Sequence, residues 1–144
     1  MHTERIMSSQ NIELIKNIYD AFNGRDYERV LANFRREFEW VAADNSPLAD
    51  QSPYHGIESI RSGVFARIAA GFEKLVVEIH EIFEGEDRVI VLGYYHGLMR
   101  ASNSESTTQV AHIWTLSDGK AVKFQQYVDT LAIYKDAMKA AAVT

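Results

Sequence analysis

The segment Thr107–Thr130, TTQVAHIWTLSDGKAVKFQQYVDT, decides the architecture. Apolar and polar residues alternate through Thr107–Leu116 and again through Ala121–Val128, the period of a half-buried strand. Ser117-Asp118-Gly119 between them has the composition of a tight hairpin turn. Working toward the N-terminus, Ser102–Ser106 is a polar turn and Arg88–Arg100 a long apolar strand. Glu84-Gly85-Glu86-Asp87 is a second turn, and Leu75–Phe83 a further strand. Four consecutive strands joined by short turns form an antiparallel meander.

Upstream of Phe72 the period changes to that of helices. Ile60, Val64, Ile68 and Phe72 are in phase over a predicted helix Ile57–Phe72. At the start of the chain, Ser8-Ser9-Gln10-Asn11 reads as a helix start, and Ile12, Ile15, Tyr19 and Phe22 recur at spacings of three and four. Asn23-Gly24 stops that helix. Asp26 suits the cap of a second one carrying Val30, Leu31 and Phe34 inward. Phe38–Val41 is a short strand, and Ala42–Gly56, with Pro47 and Pro53, is a long irregular segment of the kind that often serves function. The Ala-rich tail from Thr130 forms a short helix. The fold class is therefore α+β: three N-terminal helices against a strongly curved antiparallel sheet, a cone whose mouth is the natural place for a pocket.

Composition narrows what such a domain does. The chain of 144 residues is one domain, 1–144, with its core at about 12–131. Cysteine is absent, which excludes disulfides, thiolate metal sites and a cysteine nucleophile. A net charge of -5 without any basic run argues against nucleic-acid binding. No apolar stretch approaches the roughly 18 residues of a membrane span. The first ten residues lack a signal-peptide core, so the expected location is the cytoplasm. No Gly-rich phosphate loop is present, and Gly85, Gly93 and Gly97 fall in strands and turns, so no organic cofactor is expected. His80, His96 and His112 are not spaced as a ligand pair, so no metal is expected either.

The ordered set Tyr19–Asp26, Phe38-Glu39-Trp40, Tyr54–Glu58, His112–Leu116 and Gln126–Thr130 resembles the nuclear transport factor 2-like superfamily. Within it, the match is to the branch of SnoaL-like polyketide cyclases and ketosteroid isomerases. The resemblance implies the cone fold and a homodimer formed through the open sheet face. It also implies places for catalytic groups, and several are changed here. The Asp base that ketosteroid isomerases carry after the first strand is matched by Trp40, which has no basic nitrogen. Their oxyanion-hole Tyr is matched by Ile18, with Tyr19 one step around the helix and expected to point elsewhere. Their Asp donor falls at His112. The Asp base of the SnoaL-like cyclases is matched by Gln126, a carboxamide unable to act as a base near neutral pH. Their His is matched by His112, and their Gln two residues earlier by Val110.

The alternation puts Val110, His112, Trp114 and Leu116 on one face, and Phe124, Gln126 and Val128 on the facing one. Catalytic candidates are His112 and Asp129. His112 reads either as a core histidine or as a donor or base, and Asp129 either as a helix cap or as a carboxylate at the pocket rim. Trp40, Tyr54, His55, Val110, Trp114, Phe124 and Gln126 are the binding candidates, with Tyr54 and His55 as a lid. Tyr95, Met99, Ile113 and Tyr127 are expected on the opposite face, as the dimer surface. The expected partner is a small hydrophobic molecule. The expected function is binding it, with isomerase, cyclase or hydratase chemistry lacking the usual base, or with no catalysis at all.

Overall fold

The computed structural model describes residues 2–143, with side chains for 10–136 and Met138. Helix α1 runs His2–Asn23 and α2 Tyr27–Leu31. The Asp26 carboxylate accepts from the Arg29 N–H at 3.1 Å, the cap that opens α2. Asn23 at the end of α1 bonds both backbone groups of Val77, at 3.0 and 2.8 Å, and so ties the helix to the sheet.

Strand β1 covers Phe34–Val41 and begins earlier than the expected Phe38. The irregular segment after it holds a single 3₁₀ turn and the two-residue β2, Tyr54–His55. The expected helix Ile57–Phe72 is α3 Ile57–Ile60, a π turn over Arg61–Phe65, and α4 Ala66–Gly71. Phe72 is extended (φ -123°, ψ 134°) and opens β3 instead of closing the helix. The π turn buries Gly63, where a Cβ would sit 2.6 Å from the Tyr54 ring; only glycine lets that ring lie against the turn.

The long strands are β3 Phe72–Gly85, β4 Arg88–Met99, β5 Glu105–Ser117 and β6 Lys120–Val128, followed by helix α5, Thr130–Val143. The sheet order is β2-β1-β6-β5-β4-β3. The meander is antiparallel as expected, but β1 lies parallel to β6, with Trp40 beside Phe124. The sheet is therefore mixed, a correction to the all-antiparallel expectation. An irregularity between Ile79 and Glu81 bends β3. Opposite that bend, a Cβ on Gly93 would meet the Glu78 carbonyl oxygen at 2.0 Å, so the two backbones approach as only glycine allows.

The core is aromatic. The Phe34 and Phe38 rings stack at 3.9 Å, Trp40 lies 4.1 Å from Phe124, and Trp114 lies 4.6 Å from Phe124. These side chains come from β1, β6 and β5, so the parallel pairing of β1 is what closes the apolar wall against which the helices pack.

Candidate functional site

Between the helices and the inner face of the sheet lies a cavity of ≈ 410 Å³. Its wall is mostly apolar: Phe22, Trp40, Phe65, Leu75, Val77 and Trp114 all reach it. Among the described residues of α5, Ile133 and Asp136 reach its surface. Arg67 stands at its edge, held by Asp50 at 3.0 and 3.1 Å.

One line of polar groups crosses the apolar wall. The Trp114 Nε1–H donates to the Tyr19 hydroxyl at 2.9 Å. That hydroxyl lies 2.6 Å from His112 Nδ1, and the Tyr95 hydroxyl lies 2.9 Å from His112 Nε2. Gln126 Nε2 donates to the Tyr95 hydroxyl at 2.9 Å, and the Ala43 N–H donates to Gln126 Oε1 at 3.1 Å. The two tyrosine hydroxyls thus take both ring nitrogens of His112. The imidazole is 2 % exposed, and burial pushes its pKa down to about 3, because a charged ring would lose its hydration there. Burial raises the pKa of both Tyr19 and Tyr95, so both hydroxyls keep their protons at neutral pH.

His112, Trp40, Trp114, Phe124 and Gln126 all line the cavity. Val110 is buried on β5, but the cavity does not extend to it. Tyr54 is no lid. It is 2 % exposed, its hydroxyl donates to the Leu48 carbonyl at 2.6 Å, and it anchors the segment whose Ser46, Pro47 and Leu48 reach the cavity. His55 sits on the outer edge of the sheet, 3.9 Å from Glu39. Asp129 accepts from the Ala132 N–H at 3.2 Å and is exposed, a helix cap away from the cavity.

Three further residues stand against expectation. Tyr95 and Met99 face the cavity, not the outer surface, because Val91 pairs with His112 and Tyr95 with Thr108, which turns odd-numbered β4 residues inward. Tyr19, expected to point elsewhere, points at His112. The signal for Tyr19 was present in its helical phase with Ile15 and Phe22.

The SnoaL-like domain family matches residues 15–124, and the chain belongs to that family. Among solved structures, an NTF2-like protein from Burkholderia thailandensis is 26% identical, covering 87% of this chain and 95% of its own, with a TM-score of 0.79. TerC, co-crystallised with polyporic acid, is 27% identical, covering 88% and 96%, with a TM-score of 0.78. A putative SnoaL-like polyketide cyclase from a Jannaschia species shares the fold at 19% identity, covering 88% and 90%, with a TM-score of 0.76. No curated protein sequence matches the chain. Among the described residues, no helix is long and apolar enough to cross a membrane.

Proposed function

We propose that this chain binds a small, largely apolar organic molecule in the cavity and holds that molecule's polar group at the Tyr95–Gln126 end. The observation that carries the reading is an apolar cavity of ≈ 410 Å³ crossed by one continuous polar line. That is the usual make-up of a small-molecule site: apolar walls for affinity and a few placed polar groups for orientation. TerC, of similar fold and 27% identity, was co-crystallised with polyporic acid, which supports a site of this kind.

Binding without proton abstraction by His112 is the favoured form. Both ring nitrogens are engaged, and a group with a pKa of about 3 is a poor base at neutral pH. Isomerase, cyclase or hydratase chemistry here would draw on a different proton acceptor. The test is uptake of the neutral fluorescent probe N-phenyl-1-naphthylamine. We expect saturable binding to the wild-type chain and its loss in Leu75→Trp, which fills the cavity from its wall. Absence of saturable binding to the wild type would refute the reading.

The outer face of the sheet supports a second copy of the chain as partner. Phe83 pairs with Ile90, Ile90 with Ile113, and Leu92 with Ala111, which pairs with Tyr127. These rows leave Phe83 50%, Ile90 37% and Tyr127 54% exposed on one surface. Covering such a face favours a two-fold dimer. Light scattering at micromolar concentration reads the mass directly, and a monomer would exclude the dimer. Lack of cysteine suits a reducing compartment, and we place the protein in the cytoplasm.

A further inference from the structure

The polar line has one hydrogen more than it has links. Trp114, Tyr19, neutral His112, Tyr95 and Gln126 each bring one hydrogen to a line of four contacts. The two ends are fixed. Indole N–H can only donate. The Ala43 N–H must face the oxygen of the Gln126 amide, which turns the amide NH₂ toward Tyr95. Hydrogens therefore enter the line from both ends, and one hydroxyl is left with a hydrogen that no link uses. Only two arrangements exist. If His112 carries its hydrogen on Nδ1, the spare one belongs to Tyr19, which also lines the cavity but is only 4% exposed and whose contacts with His112 and Trp114 are both buried. If His112 carries it on Nε2, the spare one belongs to Tyr95, whose contacts are only part-buried and whose ring lines the cavity. An unsatisfied donor costs more on the more deeply buried hydroxyl than on the part-buried one, which water or a ligand reaches more readily.

From this count we propose that His112 is the Nε2–H tautomer, that the Tyr95 hydroxyl presents its hydrogen to the cavity, and that the ligand carries a neutral carbonyl-type acceptor there. The proposal rests on the binding reading above and names its ligand class. The Tyr95 oxygen already accepts from His112 and Gln126, so it has no lone pair to offer a ligand hydroxyl. Arg67, the cation among the described residues that line the cavity, is spent on Asp50 and does not favour a ligand anion at the Tyr95 end. The acceptance of two hydrogen bonds by one hydroxyl also polarises its O–H and strengthens its donation.

The test compares methyl naphthyl ketone with isopropenylnaphthalene, an alkene of the same shape without the acceptor. The ketone should bind the wild type about tenfold more tightly, the scale of one hydrogen bond. Tyr95→Phe should erase that difference between ketone and alkene. Nitrogen NMR of the imidazole in the unliganded wild type should place the hydrogen of His112 on Nε2. Equal affinity of ketone and alkene for the wild type, or a hydrogen on Nδ1, overturns the proposal while the binding reading stands. If neither compound binds, both fall.

Discussion

His112 and His96 stand on adjacent strands of one sheet and on opposite faces of it. His112 is 2 % exposed, wedged between two tyrosine hydroxyls, with its ring 4.8 Å from Phe124. The His96 side chain is 41% exposed and meets Glu78 at 2.7 Å and Thr107 at 3.3 Å. Both rings have two polar neighbours. The inner ring is almost wholly buried and both its nitrogens are engaged, so its hydrogens, its tautomer and its charge are settled by the groups around it. The outer ring exchanges its partners with solvent at little cost. A hydrogen bond of the same length is thus a constraint on one face of the sheet and a convenience on the other.

The largest break of this contrast is His112→Ala. It opens a void among Phe124, Tyr19 and Tyr95 and strands the Tyr19 hydroxyl hydrogen in the core. The expected loss of stability is roughly 3 kcal/mol or more, read by denaturant unfolding. A loss no larger than that of a surface substitution would mean that the inner line is not the constraint described.

The next effect is on pH. The folded-state pKa of His112 is about 3, below the unfolded value of about 6.5. The unfolded chain therefore binds a proton at pH 5 that the folded chain refuses. The contribution of His112 is fully present above pH 6.5 and is lost progressively as pH falls toward 3. Between pH 6.5 and 5 the wild type should lose stability by up to about 2 kcal/mol. His112→Gln, which keeps polar atoms but cannot titrate, should be flatter across that window. Parallel pH profiles for the two proteins would assign the slope to other groups.

The same contrast explains what the sequence disclosed. The β5–β6 hairpin was legible because one of its faces is buried and the other is not, so Val110, His112, Trp114 and Leu116 alternate with more exposed neighbours. In β4 the run from Val89 to Tyr95 is apolar on both faces, and alternation there carries no sign of which face is in. The face is set by the pairing of Val91 with His112, a tertiary fact, and so Tyr95 and Met99 lie on the face opposite to the expected one. The parallel contact of β1 with β6 leaves no local trace either, since it joins segments far apart in the chain, as Trp40 and Phe124 are. Asp129 was legible as a cap, because a carboxylate ahead of a helix acts within three residues. Tyr19 was readable from its helical phase and lost to a family position one residue away.

The smallest effect falls on the outer face. Glu78 accepts from His96, and its other oxygen lies 3.4 Å from His80. The His96 hydrogen bond, with His80 beside it, holds the carboxyl below its usual pKa. On paper, Glu78 has as many polar contacts as His112. Yet water replaces each of them when Glu78→Gln removes the charge, and salt screens what remains. The expected change in Tm is within about 2 °C, and it should shrink further in 1 M salt. The cavity probes should bind unchanged, because Glu78 and the Tyr95 hydroxyl act on opposite faces of the sheet. If Glu78→Gln instead weakened the ketone as Tyr95→Phe does, the two faces would be coupled through β3 and β4. The close passage of Gly93 over the Glu78 carbonyl would then be the first place to look for that coupling.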